Sequence, residues 1–165
     1  MLRYYWLLIL FIVTLITDQL TKSIVDSLYV LHVSRPVLGS FLQLTYIRNS
    51  GAVFGLSIGN PKIMFVMTVI VTLVLAYLFF KGTVRPEHAL GKAAVVMVLG
   101  GATGNLIDRI RFGEVIDFID MGIGYYRWPV YNFADIFITF GMVILFFTYA
   151  LKTEIPGETA HHSSE

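Results

Sequence analysis

Two aspartates are the residues of this chain best placed to break a bond: Asp117 in the run VIDFID and Asp135 in YNFAD. Both stand among apolar neighbours. Asn132 and Asp135 are three residues apart at the head of the long apolar run Val130 to Phe147, so they share a helix face. Carboxylates that meet in a low-dielectric site cannot both ionise cheaply, and their pKa values split. The protonated member hydrogen-bonds a carbonyl oxygen while the ionised member takes a proton from water. That is aspartic-protease chemistry, and it needs neither histidine nor thiol. The sequence contains no cysteine. Its histidines, His32, His88, His161 and His162, show no metal-ligand spacing, so neither a metal nor a cofactor is expected.

Further polar residues fall at matching places. Asp18 and Lys22 are four apart, a spacing that allows an ion pair on one helix face. Gly100 and Gly104 form a small-xxx-small pair that lets a helix or a substrate backbone approach. Asn105, Asp108 and Arg109 follow, then Gly113 ends the helix, and Asp117 and Asp120 come next. Each feature alone has a plainer reading. Asp18 with Lys22 can be only a stabilising pair, Asn132 and Asp135 only a helix cap, the glycines only packing, and Asp120 a solvated loop carboxylate. Their convergence at one membrane surface is what points to function.

The elements that would bring them together follow from composition. Of 165 residues, 56% are hydrophobic and only 14% charged, where a soluble domain carries about a quarter charged. The net charge of +1 supplies no basic stripe for nucleic acid. Four runs are long enough to cross roughly 30 Å of hydrocarbon: Tyr4 to Val25, Lys62 to Phe80, Ala89 to Ile107 and Asn132 to Leu151. The first is not a cleaved leader, since it runs on into Asp18, Gln19 and Lys22 without a small-x-small exit. Four spans put both termini on one side, and Asp26 to Pro61 and Asp108 to Tyr131 on the other. The charge bias of the loops opposes that orientation unless Lys22, Arg48 and Arg109 are neutralised within a polar site. FLQLTYIRNSG alternates like a strand and turns at Asn49-Ser50-Gly51. The reading is an all-α membrane protein of four transmembrane helices with a small sheet and a short surface loop or helix outside. Residues 1–152 form one domain, and 153–165 a disordered polar tail.

Two competing nucleophiles are present. Gly55-Leu56-Ser57-Ile58-Gly59 matches G-x-S-x-G but lacks the strand–turn–helix setting and the histidine partner that the pattern requires. A Ser50–Lys22 dyad is the better rival, because a desolvated lysine can act as a base. Outside catalysis, buried acids with a lysine also suit a proton relay. The glycine pairs alone would suit a membrane scaffold.

Five blocks in order, DQLTK (18–22), RNSGAVFG (48–55), GGATGNLIDR (100–109), GEVIDFID (113–120) and YNFAD (131–135), resemble the lipoprotein signal peptidases, or signal peptidase II, over roughly residues 4 to 151. The resemblance implies that Asp117 and Asp135 are the catalytic dyad. It implies that Asn49, Gly51, Ala52, Gly101, Asn105, Arg109 and Asn132 line or shape the substrate site, and that Asp18 and Lys22, with Asp108 beside them, brace it. It further implies cleavage of diacylglyceryl-modified prolipoproteins just before the lipidated cysteine, sensitivity to the peptide inhibitor globomycin, and a bacterial inner membrane location. The site would face the periplasm and both termini the cytoplasm. Membrane lipids are then partners, and nucleic acid is not. Phe54, with Phe118, Ile119 and Phe133, is apolar enough to take the lipid-proximal peptide. Gly51, Ala52 and Gly104 would leave room for its backbone. Asn49 to Asn60 and Asp108 to Tyr131 are candidate lids.

Overall fold

In the computed structural model, residues 5–51, 60–81 and 89–150 are described. The expected Ala52, Phe54 and Ser57 lie outside that set. The described residues form α1 (Tyr5–Leu28), β1 (Ser34–Leu38), β2 (Leu42–Asn49), α2 (Pro61–Lys81), α3 (Ala89–Phe112), β3 (Val115–Ile123), β4 (Tyr126–Arg127) and α4 (Phe133–Ala150). Helices α1, α2 and α3 are long and apolar enough to cross a membrane; α4 contributes a shorter apolar stretch, Phe133–Thr148.

Helix α1 is built inside out. Its buried residues are Thr14, Asp18, Lys22 and Val25. Leu8, Ile9, Ile12, Val13, Ile16 and Leu20 are all exposed. A polar stripe turned inward with an apolar face turned outward is unstable in water and favoured in lipid. No described side chain of α2 is buried, and Ile63, Val66, Met67, Ile70, Leu73 and Val74 all lie open. A helix apolar all round in this way wants hydrocarbon around it.

Helix α3 is the hub, packed against α1, α2 and α4. Its glycines make that possible. A Cβ on Gly100 would lie 2.9 Å from the Thr14 methyl of α1, and one on Gly101 would lie 2.5 Å from the Ala134 carbonyl oxygen of α4. Gly141 closes the same seam from the other side, where an added Cβ would lie 2.6 Å from the Ala94 oxygen. Small residues here let helix backbones approach where no hydrophobic effect drives them together.

A four-stranded antiparallel sheet in the order β1-β2-β3-β4 caps one end. It corrects the expectation for Asp108 to Tyr131. Helix α3 continues to Phe112 and ends at Gly113, which takes a left-handed φ of 75°. The residues that follow form β3, an inner strand of the sheet. Paired on both sides, that segment is no loop or lid. Its Phe118 and Ile119 pack with Val25, Tyr46 and Ile116 in the core beneath the sheet, so neither is open to a ligand. Phe133, half-buried against Phe118, alone of the three keeps an accessible edge.

Candidate active site

The site begins where α4 begins. Asn132 caps the helix: its Oδ1 accepts from the Asp135 backbone N–H at 3.0 Å, and the Asp135 carboxylate accepts from the Asn132 N–H at 3.2 Å. This reciprocal cap satisfies N–H groups that the first helical turn leaves unpaired. Asp18 reaches across from α1 to satisfy another, accepting from the Ala134 N–H at 2.9 Å. The α4 N-terminus is therefore held by two elements, which fixes Asp135 in space.

Asp117 arrives from β3. It is 1% exposed. One carboxylate oxygen accepts from Asn132 Nδ2 at 2.6 Å and the other from Asn49 Nδ2 at 2.9 Å. Asn49 is aimed by a local turn in which its own Oδ1 accepts from the Gly51 N–H at 2.9 Å. Gly51 sits at φ 125°, where a Cβ would strike Met64 at 2.5 Å. Burial first, and the nearby charge of Asp135 second, push the Asp117 carboxyl up to about 7. The Asn49 and Asn132 bonds pull the other way without prevailing.

Asn105 links the two aspartates to the brace behind them. Its Nδ2 donates to Asp135 Oδ1 at 2.9 Å, and its Oδ1 accepts from Lys22 Nζ at 2.8 Å and from Asn132 Nδ2 at 3.1 Å. Lys22 can only donate, so it turns the Asn105 oxygen towards itself and the amide N–H₂ towards Asp135. Lys22 is held in turn by Asp18 at 2.9 Å and Asp108 at 2.8 Å. All three are 1% exposed or less. Gln19 donates to Asp18, Asp108 and the Gly104 carbonyl, each at 3.1 Å, and Asp108 also accepts from the Ile116 N–H at the start of β3. With its donors spent on Asp18, Asp108 and Asn105, Lys22 is not free to serve Ser50. Among the described residues, no buried side-chain polar atom lacks a partner.

Several expected residues thus meet: Asn49, Gly51, Asn105, Asn132, Asp117 and Asp135 form one connected group, backed by Asp18, Lys22 and Asp108. Arg109 is half-buried beside them, with Asp117, Asp135 and Asp108 within reach of its charge. The glycines serve neighbours within the protein. The space beside Gly101 is filled by α4, and that beside Gly104 by Asp18, whose Oδ2 would lie 2.3 Å from an added Cβ. Asp120 is buried, which corrects its reading as a solvated carboxylate. It accepts from Thr45 and Arg127 at 2.7 Å each, tying β2 and β4 to β3. Gln19 was missed in the sequence, although its place between Asp18 and Lys22 was a clue.

Two open grooves flank α4. One, of about 630 Å³, is lined by Phe41, Trp128, Tyr131, Asp135, Ile136 and Phe140 among others. The second, of about 510 Å³, includes Met64, Met67, Val98, Asn105, Arg109 and Met142. The polar group therefore sits between two largely apolar channels. The described residues contain no group of three metal-binding side chains.

The chain is similar to known proteins along most of its length. The signal peptidase (SPase) II family model matches residues 10–151. A lipoprotein signal peptidase from Syntrophotalea carbinolica is 43% identical over 143 residues, covering 84% of this chain and 88% of that protein. One from Syntrophus aciditrophicus is 44% identical over 145 residues, covering 84% and 90%. A bacterial membrane enzyme solved by the in meso method at 2.3 Å resolution superposes with a TM-score of 0.83 at 31% identity, over 97% of this chain and 96% of that one. By that match along nearly its whole length, this chain belongs to the signal peptidase II family.

Proposed function

We propose that this chain removes signal peptides from diacylglyceryl-modified prolipoproteins, cutting before the lipidated cysteine, with Asp117 and Asp135 as the water-activating pair. The observation that carries the pairing is that two carboxylates, from β3 and α4, are held by one shared asparagine, Asn132. Asp117, with its carboxyl at about 7, is the acid. Asp135 is the base, its carboxylate already an acceptor of N–H groups from Asn105 and Asn132.

A water between them loses a proton to Asp135 as its oxygen attacks the scissile carbonyl carbon, while Asp117 gives its proton to the carbonyl oxygen. The resulting diol collapses: Asp117 takes its proton back, Asp135 protonates the leaving nitrogen, and the C–N bond breaks. The pair returns to its starting state without a covalent intermediate. Asn49, Gly51, Asn105, Arg109 and Asn132 shape the peptide site. Ala52 and Phe54, from the segment that follows Gly51, join them. Gly101 and Gly104 shape it indirectly, by letting α4 and Asp18 close in.

The reading extends to placement. Four spans in a bacterial inner membrane, with termini in the cytoplasm and the sheet on the periplasmic side, put the pair at the headgroup level. There the acyl chains of the substrate stay in lipid while its scissile bond reaches the acids. The apolar channels beside α4 suit the acyl chains and the apolar part of the signal peptide. Globomycin, a peptide, would compete for the same space. The test pairs two substrates, a prolipoprotein carrying diacylglyceryl cysteine and the same chain unmodified. Cleavage confined to the lipidated one supports the reading; equal cleavage of both refutes its substrate assignment.

A further inference from the structure

Strand β2 carries a bulge whose position decides what Asp117 faces. Leu44 pairs with Ile119 and Ile47 with Asp117, so β2 spends three residue steps where β3 spends two. The extra residue falls at Thr45–Tyr46. With it, Ile47 lies opposite Asp117, and Asn49, two residues on, shares the Asp117 face. Without it, Tyr46 would take the place of Ile47, Asn49 would turn to the other face, and its bond to Asp117 would be lost.

The bulge is pinned from the opposite face. The Tyr46 hydroxyl donates to Asp26 Oδ1 at 2.5 Å, near the end of α1. Arg48 Nε donates to the Tyr46 oxygen at 2.6 Å, and its NH2 pairs with the same Asp26 oxygen at 2.6 Å. The guanidinium stacks on Phe112, the last residue of α3, 4.2 Å from the ring centroid. One side chain thus ties β2 to the ends of both α1 and α3, immediately before Asn49. Arg48 stands in the RNSGAVFG block, and its side-chain bonds go to Tyr46 and Asp26.

We propose that Arg48, held by Asp26 and Tyr46, is a positioning residue that fixes the register of β2 and so the grip of Asn49 on Asp117. The inference rests on the assignment of Asp117 to the catalytic pair. As an ion pair at a partly exposed site, the Arg48–Asp26 contact contributes little to stability. Its worth is geometric, since misplacement by ~1 Å can cost a reaction about a hundredfold.

The experiment measures kcat and KM on a diacylglyceryl prolipoprotein for the full chain in detergent, with Arg48→Met, Tyr46→Phe, Asn49→Ala and the two double variants with Asn49→Ala. Arg48→Met should lower kcat at least tenfold with KM within twofold, and Tyr46→Phe severalfold in the same pattern. In the Asn49→Ala background each should cost less than threefold, because the residue through which they act is gone. Parental kcat in Arg48→Met, or losses that multiply fully with Asn49→Ala, would overturn the proposal. If Arg48→Met fails to fold, Tyr46→Phe, which keeps the buried ring, decides alone by the same criteria. Asp117→Asn is run alongside. Activity retained there refutes the catalytic pair itself, whereas an inactive Asp117→Asn with multiplicative Arg48 losses refutes only the positioning role.

Discussion

Replacing Gly104 by alanine inverts an ordinary rule. In a helix interior that change normally stabilises by about 1 kcal/mol. Here the new Cβ would lie 2.3 Å from Asp18 Oδ2, whereas carbon and oxygen rest about 3.3 Å apart, so one of them moves by ~1 Å. The carboxylate cannot move that far freely. Oδ2 is bonded to Lys22 at 2.9 Å and Gln19 at 3.1 Å, and Oδ1 to the Ala134 N–H at 2.9 Å. Each hydrogen bond to a charged group is worth about 1.5–3 kcal/mol. Losing two and regaining the helix propensity leaves Gly104→Ala destabilised by about 3 kcal/mol. For a chain of this size that lowers Tm by roughly 6–12 °C. Tryptophan fluorescence during a thermal ramp in detergent measures it. In an Asp18→Ala background the same change should cost under about 1 kcal/mol, because the obstacle has been removed. A Gly104→Ala variant as stable as the parent, or an equal loss in both backgrounds, would refute the packing of Asp18 against α3.

Further predictions follow from the same geometry. Activity should fall as pH rises through about 7, where Asp117 loses the proton it must donate, and the pH–rate profile of kcat/KM reads this directly. Asp117→Asn should abolish activity yet raise Tm at pH 8. With a folded pKa raised above the unfolded 3.8, the buried carboxyl lowers stability progressively as pH climbs from about 4 to 7. That gain in Tm should vanish near pH 3, where both states are protonated. Asn105→Leu should lose at least a hundredfold in kcat while binding substrate, since it frees Asp135 from Lys22; an unchanged kcat would remove Asn105 from the linkage. Arg127→Ala should cost about 1.5–3 kcal/mol in a thermal melt, because it leaves the buried Asp120 carboxylate without its charged partner; an unchanged Tm would refute that dependence.

The chain's hydropathy made its helices legible: all four expected apolar runs are helical, α1, α2 and α4 within three residues at each end, while α3 runs five residues longer. It ran on because nothing stops a helix at Ile107, and Gly113 is the first residue suited to end one. The polar spacings at Asp18–Lys22 and Asn132–Asp135 were visible because helical faces recur locally. Strand β1, SRPVL, was not, since all five of its residues are exposed and no alternation marks it. The segment after Gly113 reads as a loop for a related reason. VIDFID carries two acids that a strand on a water-facing surface would not bury, and it is the partners Asn49, Asn132, Thr45 and Arg127, all outside the run itself, that make burial tolerable. The bulge at Thr45–Tyr46 leaves no local signature, and with it went any hint of Arg48 and Asp26.

The account is tested most directly by single-turnover cleavage of a diacylglyceryl prolipoprotein by the parent and by Asp117→Asn and Asp135→Asn, each shown folded by its own melting curve. Both variants should lose at least about a thousandfold in rate, as removal of a general acid or base implies. Either variant cleaving within about tenfold of the parent would contradict a shared role for the two acids in activating water.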